Sequence, residues 1–344
     1  MATSNPHPQS LSAHGERSEH LAKVRRKALA HLEMTRPYTM FHSGLLAIAG
    51  AELASAGHVA VWRVALAALV TMCGWEAGLY AGDYYDRHLD AVAKPSRPVP
   101  SGRVSAREAL LIMIGLILVG YICALILGPA NLGLAVLTTA LGIAYSKTFK
   151  NRAILGNFDR GILGICAVLF GALAGGSIFA PPVLLLAALV FFHDSATNLV
   201  GAIRDIEGDR AAGYSTVPTV YGLAPAVDVA CSLALAWIIL GSALMAVLHP
   251  SALGAALFAV AVLLAVYVYV PMWLARATVS RKRALAAHKY LIAERLILLS
   301  AFIAVYAPAA VALGILVATL AASLGFQALL RDRYEKQQIV AAGG

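Results

Sequence analysis

Three aspartates, Asp83, Asp86 and Asp90, close an almost wholly apolar stretch with the spacing D-x-x-D-x-x-x-D, and Lys94, Arg97 and Arg103 follow within the next turns of chain. A second acidic pair, Asp205 and Asp209, closes another apolar stretch in the run GAIRDIEGDRAAGYSTVPTVYG. Offsets of three, four and seven keep the carboxylates of each group on one helix face. Clustered carboxylates repel one another unless something positive sits among them. They suit a hard divalent cation such as Mg²⁺, which takes oxygen ligands and is usually shared with substrate phosphates. The neighbouring Lys94, Arg97 and Arg103 suit phosphate oxygens, arginine with two-pronged contacts. The predicted chemistry is the binding of a metal-complexed diphosphate.

The elements that must hold these residues are membrane helices. Of 344 residues, 60% are hydrophobic and only 13% charged, and mean hydropathy is +0.76. A soluble domain is nearer half apolar and a quarter charged. The fold class is all-α, a polytopic membrane bundle in contact with lipid. A span needs about 20 apolar residues. Such stretches lie near 39–57, 61–81, 107–127, 130–146, 160–179, 182–202, 225–247, 252–274 and 291–308. These nine core spans are followed by 309–330, either a tenth span or a helix packed along the bundle, with Pro308 as the break. Residues 1–35 read as a polar tail with the basic run Lys23-Val24-Arg25-Arg26-Lys27, residues 36–330 as the transmembrane domain, and 331–344 as a second polar tail. The amino-terminal stretch lacks the apolar core and cleavage site of a signal peptide.

Lys and Arg number five between 87 and 107, four between 147 and 160, two between 204 and 210 and six between 276 and 295, whereas the alternate loops hold Arg63 alone. Basic loops mark the cytoplasmic side. The amino terminus and both acidic groups are therefore expected on the cytoplasmic face of a bacterial or archaeal plasma membrane, and Arg331, Arg333 and Lys336 favour the same side. Both groups end even-numbered spans, so they can face each other across one cavity.

The stretch KPSRPVPSGR after the first group contains three prolines, which forbid continuous helix. Ser105 with Glu108 forms S-x-x-E, the capping box that starts the third span. Cys73, Cys123, Cys166 and Cys231 lack metal spacing and read as small packed residues. His42 and His193 read as packed or hydrogen-bonded rather than metal-ligating, and Arg281-Lys282-Arg283 as orientation charge. No nucleic-acid module, P-loop or dinucleotide-binding glycine pattern stands out. A transporter would carry its charges through the midplane rather than at one mouth.

These motifs resemble the UbiA-type intramembrane prenyltransferase superfamily over roughly 36–310. The likeness rests on the aspartate motif and K-P-x-R-P-x-x-S-G at 94–102, on YSKTFK…GN from Tyr145 to Asn157, and on DIEGDRAAGYSTVP from Asp205 to Pro218. The resemblance implies a helical bundle around a central cavity and Mg²⁺-dependent transfer of an isoprenoid chain from a prenyl diphosphate donor to a lipophilic or aromatic acceptor. One metal is expected on Asp83, Asp86 and Asp90, another on Asp205 and Asp209. Lys94, Arg97, Lys150 and Arg204 supply fixed positive charge. Tyr145 steadies an allylic cation or anchors the interface. Asn157 lines the cavity floor, and Arg36 touches the substrate phosphate or a lipid headgroup. Asp194, Asn198 and Glu76 extend the two acidic stripes inward; Asp194 or Glu76 orients the acceptor or accepts a proton, or else is a buried hydrogen-bond partner of His193 or Trp75. Where the family carries Asn ahead of the second aspartate, this chain has Gly82, so a metal or diphosphate ligand is missing there or is supplied by Asp83 or Asn198. An alternative reading, cyclisation of the prenyl diphosphate alone, shares the same ionisation. The oligomeric state is not specified by the sequence.

Overall fold

The computed structural model describes residues 8–331, which form helices α1 (Pro8–Thr35), α2 (Pro37–Ser55), α3 (Val61–Tyr85), α4 (Arg87–Ala93), α5 (Ala106–Leu127), α6 (Pro129–Lys147), α7 (Ile154–Gly175), α8 (Pro181–Ala211), α9 (Val217–Tyr221), α10 (Leu223–Leu248), α11 (Ala252–Leu274), α12 (Arg281–Ile303) and α13 (Ala309–Phe326), with no strand among the described residues. Arg333 and Lys336, with all of the second polar tail beyond Arg331, lie outside them.

The ten expected apolar stretches each fall on a helix. Among the described residues, eight helices are long and apolar enough to cross a membrane: α3, α5, α6, α7, α8, α10, α11 and the last. The nine expected core spans also included α2 and α12, and these two differ from the rest. They carry polar residues such as His42, Ser43, Glu294 and Arg295, all buried. They stand inside the bundle, where eleven of the nineteen residues of α2 are buried, rather than facing lipid. The outer helices do the reverse: Leu118, Ile122 and Ile126 on α5, Leu235 and Ile239 on α10, and Leu263 on α11 are exposed. Apolar rows of that extent suit hydrocarbon, not water. Pro308 sits at the amino-terminal cap of α13, so the last apolar stretch is a separate helix, packed on α12 and α2.

The close approach of α2 to α7 is set by small residues. A side chain at Gly171 would run into the backbone of Ala47, and one at Gly50 into the carbonyl of Val168. Lipid offers no hydrophobic drive between helices, so close backbone approach through small residues does the packing. This contact carries α7 against the centre of the bundle, and α8 packs beside it.

The site is positioned by what happens at the ends of α3 and α8. Helix α8 runs 31 residues, about 46 Å at 1.5 Å per residue, against a hydrocarbon thickness of about 30 Å. The helix is thus several turns longer than a span needs, and its charged last turns carry Asp205 and Asp209. Helix α3 gives way to α4 at Asp86, although Asp86 N–H still donates to Gly82 (2.9 Å) and Asp90 N–H to Asp86 (2.8 Å). Ser105 caps α5 by accepting from Glu108 N–H at 3.1 Å. The Glu108 carboxylate, expected to complete a capping box, is engaged by Lys27 (2.9 Å) and His31 (3.1 Å) of α1. The Lys27 ammonium holds it more strongly than a backbone amide would. Helix α1 is thereby docked on the bundle, with Ala30 and Met34 packed against Ala77, Tyr80, Ala81 and Met113.

Candidate active site

Both acidic motifs open on one cavity of about 410 Å³, whose wall includes Asp83 and Asp86 from the first and Asp205 from the second. Asp83, Asp86 and Asp90 are buried, and every motif carboxylate on the wall is held by a cation. Asp83 Oδ1 accepts from Arg36 (3.1 Å) and Arg97 (3.4 Å), and Arg97 also reaches Asp90 Oδ2 at 2.5 Å. Lys150 Nζ is bonded to Asp86 Oδ2. Arg204 grips both oxygens of Asp205 at 2.8 Å, and Lys94 lies 3.5 Å from Asp205 Oδ2. That last contact joins the loop after the first motif to the second motif. Burial holds the Lys94 ammonium below the ordinary lysine range, against the opposing pull of Asp205.

Local backbone geometry aims these groups. Arg36 adopts φ +42°, a left-handed conformation that a non-glycine residue rarely takes, at the junction of α1 and α2. Ala153, with φ +44°, follows the short turn bearing Lys150. Its N–H donates to Ser215 O at 2.7 Å, and Ser215 N–H donates to Asn151. The turn that presents Lys150 is thus tied to the loop leaving the second motif. Tyr214 in that loop places its ring 5.1 Å from Lys150 Nζ, and burial beside Asp86 pushes its phenol above the ordinary tyrosine range.

Of the residues singled out from sequence, Asp83, Asp86, Lys94, Arg97, Tyr145, Lys150, Asp194, Asn198, Arg204, Asp205 and Arg36 share the cavity wall. Asp90 stands behind it on Arg97, and Asp209 and Asn157 also lie off the wall. Glu76 is buried off the wall, with neither carboxylate oxygen hydrogen-bonded among the described residues. Arg103 turns away, to Glu33 Oε2 of α1 and to Ser96 O, both at 2.7 Å. Arg281, read as orientation charge, is on the wall.

Sequence reasoning missed much of the far part of the cavity. There Asp194 Oδ1 accepts from His42 Nε2 (2.9 Å) and faces His193 Nδ1 (3.3 Å), while His193 Nε2 faces Glu294 Oε2 (2.9 Å). His42 and His193 are hydrogen-bonded, as expected of them, and so is Asp194. Arg295 and Arg160 also line the cavity. The signal that points to them is charge inside apolar runs, GNFDRG and LIAERLILL, where an ionisable residue usually has a partner or a cavity.

The donor set fits Mg²⁺. It is all carboxylate oxygen, and Asp83 Oδ2 is buried without a hydrogen-bond partner among the described residues, although no three acidic, imidazole or thiol groups among them gather closely enough to hold a metal ion without further ligands. Mg²⁺ characteristically takes one or two carboxylates and completes its shell with water and substrate phosphate.

A family model, the UbiA prenyltransferase family, matches residues 43–293. A digeranylgeranylglyceryl phosphate synthase of Methanopyrus kandleri is 34% identical over 211 residues, 61% of this chain and 76% of that protein. The solved structure of a digeranylgeranylglyceryl phosphate synthase superposes with TM-score 0.62 and 25% identity, covering 80% of this chain and 97% of that one. A UbiA homologue from Archaeoglobus fulgidus bound to GPP and Mg²⁺ shares the fold, with TM-score 0.59 at 18% identity over 79% of this chain and 99% of its own. Matched in sequence over most of its bundle and in fold over four fifths of its length, this integral membrane protein belongs to the UbiA prenyltransferase family.

Proposed function

We propose that this protein moves an isoprenoid chain from a prenyl diphosphate to a lipophilic or aromatic acceptor within the membrane. The observation that carries this reading is the Lys94–Asp205 contact, through which two distant acidic motifs share one cavity. Asp83 and Asp86 on one side and Asp205 on the other would hold Mg²⁺, with Asp90 and Asp209 of the same motifs behind them, and the metal when bound supplies positive charge to the departing diphosphate. Lys94, Arg97, Lys150 and Arg204 exchange their carboxylate partners for phosphate oxygens as the donor enters. Fixed cations at the place where negative charge develops stabilise departure of the leaving group. The C–O bond of the donor breaks with its electron pair going to the diphosphate oxygen. Tyr145, beside the Lys150 end of the cavity, faces the allylic carbon that remains. An acceptor lone pair or double bond attacks that carbon and the acceptor loses a proton. The apolar wall of α5 and α6, including Leu116, Ile117 and Ala135, takes the isoprenoid chain.

Relatives named for a digeranylgeranylglyceryl phosphate product support transfer to a separate acceptor over cyclisation. The basic loops support a cytoplasmic mouth and amino terminus. The deciding experiment supplies purified protein with Mg²⁺ and prenyl diphosphates of several lengths, with and without membrane lipid extract. Diphosphate release and product mass are read together. Release that depends on extract and gives a prenylated lipid is expected; no release from any donor sinks the reading, and a terpene formed without extract replaces it by cyclisation.

A further inference from the structure

Helix α1 carries a basic, exposed stretch that the cavity does not use, and its depth in the bundle can be read from its contacts. Helices α3 and α5 run antiparallel: Tyr80 and Ala81 of α3 pack with Ala109 and Met113 of α5, and Ala67 and Val70 with Ala124 and Leu127. A Cβ at Gly120 would lie 3.9 Å from that of Cys73. Counting twelve residues from that pair toward the mouth gives Tyr85 on one helix and Glu108 on the other, so these two stand at one depth. The groups that hold α1 all lie near it. Lys27 reaches Glu108 (2.9 Å), His31 reaches Glu108 and the Tyr80 hydroxyl (both 3.1 Å), and Arg36, at the end of α1, reaches Asp83 (3.1 Å). From Lys27 to Arg36 is about 13 Å of helix, yet their partners differ in depth by about 7 Å at most. Helix α1 therefore lies crosswise over the mouth ends of α3 and α5, in the plane of the membrane interface.

Lys27 is the outermost of these contacts. Beyond it the helix continues from Arg26 back to Arg17, about 15 Å at the helical rise, past an α5 whose outer face exposes Leu111, Leu118 and Ile122. Leu111 is less than one turn below Glu108, so this outlying stretch runs just above the apolar, lipid-facing row. Its charge is one-sided. Arg17, Lys23, Arg25, Arg26 and Lys27 are exposed and face a single carboxylate, Glu19. Leu21 and Val24 are more than half exposed, and with Ala28 they share one helix face, which Arg25 and Lys27 flank. Apolar side chains bordered by long cations suit a boundary between acyl chains and headgroups, where the aliphatic stems lie in the apolar zone and the charges reach up to phosphate.

We infer that residues 17–28 are a membrane-surface element: Lys23, Arg25 and Arg26 bind the phosphates of anionic phospholipids in the leaflet at the cavity mouth, and Leu21 and Val24 enter the acyl boundary beneath them. Basic residues held at headgroup depth are attracted to an anionic leaflet each in turn, and the attraction fades within a Debye length. The inner end of α1 is held by Glu108 and Asp83, and lipid holds the outer end, so the helix that carries Arg36 to Asp83 is fixed at both ends. The inference needs only that the chain spans a membrane, and it does not depend on the reaction the cavity performs.

The test places the full-length protein, one copy per nanodisc, in phosphatidylcholine alone or in phosphatidylcholine with a third of phosphatidylglycerol, and follows backbone hydrogen exchange over residues 17–28 by mass spectrometry. Neither donor nor turnover enters the readout, so its failure is distinct from failure of the transferase reading. Exchange is expected to be roughly 10- to 100-fold slower in the anionic discs, the scale of two or three cations near a charged surface, and the difference should shrink at high salt. The triple variant Lys23→Gln, Arg25→Gln, Arg26→Gln should abolish the difference while leaving thermal unfolding in detergent unchanged, because all three side chains are exposed. Val24→Ser should speed exchange in both kinds of disc. Equal exchange of the parent in the two lipids overturns the inference, and so does a lipid difference that survives high salt or the triple variant. Protection that appears only with two copies per disc also overturns it and gives the face to a second chain. The salt series on the parent decides the matter even if the variant does not fold.

Discussion

Lys94 Nζ stands 3.5 Å from Asp205 Oδ2, joining residues 111 positions apart across the mouth of the cavity. Its side chain is mostly buried, so water screens the attraction little. Lys94→Met keeps the aliphatic stem and deletes the charge. Donor KM is expected to rise about 10- to 100-fold, as for removal of a charge-assisted hydrogen bond, while acceptor KM stays within about twofold. Initial rates against donor concentration at saturating acceptor check this. An effect confined to the acceptor would place Lys94 outside the donor site.

Gly82 offers an experiment in the opposite direction. It is on the cavity wall, and a Cβ added there meets nothing within 4 Å. Gly82→Asn puts an amide on the wall at a position with open space for its Cβ. A helix interior also favours Asn over Gly by a few tenths of a kcal/mol. The variant should be at least as stable as the parent and should need less Mg²⁺ for half-maximal turnover, by about 3- to 10-fold for one added hydrogen bond. A higher Mg²⁺ requirement would show that the open space at Gly82 serves something else.

Much of this arrangement is legible in the residues. The apolar stretches, the Pro308 break, the Ser105 cap and the meeting of both acidic motifs follow from hydropathy, proline geometry and helical spacing. The rest depends on tertiary contacts. Nothing local marks Asp86 as the point where α3 gives way to α4, for neither proline nor glycine stands there. Glu108 suits a capping box by spacing, yet Lys27 and His31, more than seventy residues earlier, take its carboxylate. Arg160 reads from sequence only as loop charge, and Glu294 and Arg295 are hidden in an apolar run, because one isolated charge carries no periodicity. Arg103 looks equivalent to Arg97 in the sequence; the turn through the three prolines points one toward Glu33 and the other toward Asp83.

The α2–α7 packing should govern stability without touching chemistry. Gly171 lies against the Ala47 backbone, which cannot yield as a side-chain end can. Gly171→Leu forces the helices apart and is expected to cost about 3 kcal/mol or more, the upper range of overpacking. Gly142→Ala, at a position where a Cβ meets nothing within 4 Å, is the contrasting substitution and should shift thermal unfolding in detergent by little. Equal shifts for the two would show that close backbone approach is not what holds α2 to α7.

Glu33 and Arg103 make a strap between α1 and the proline-rich loop, at 2.7 Å and partly exposed. A pair of that exposure contributes about 0–1 kcal/mol to stability, so Glu33→Ala should leave thermal unfolding nearly unchanged. Its effect should fall on the loop instead. Arg103 also holds Ser96 O, two residues after Lys94 and one before Arg97. Loosening that turn is expected to raise donor KM about 3-fold, the scale of a weak surface ion pair, while leaving kcat close to the parent value. A thermal shift without a KM change would make the strap purely structural.

His193 is the bridge of the buried chain, with Nδ1 toward Asp194 and Nε2 toward Glu294. The ring thus links the two carboxylates, one at each nitrogen. Glu294→Leu and His193→Phe each remove one partner of the same 2.9 Å hydrogen bond, so their costs overlap. Breaking a buried polar pair from one side costs about 3–5 kcal/mol, and the double variant should fall short of the summed single costs by about 1–3 kcal/mol. Denaturation in detergent with all four proteins gives the coupling. Simple additivity would mean that the two residues are stabilised by separate neighbours and not by each other.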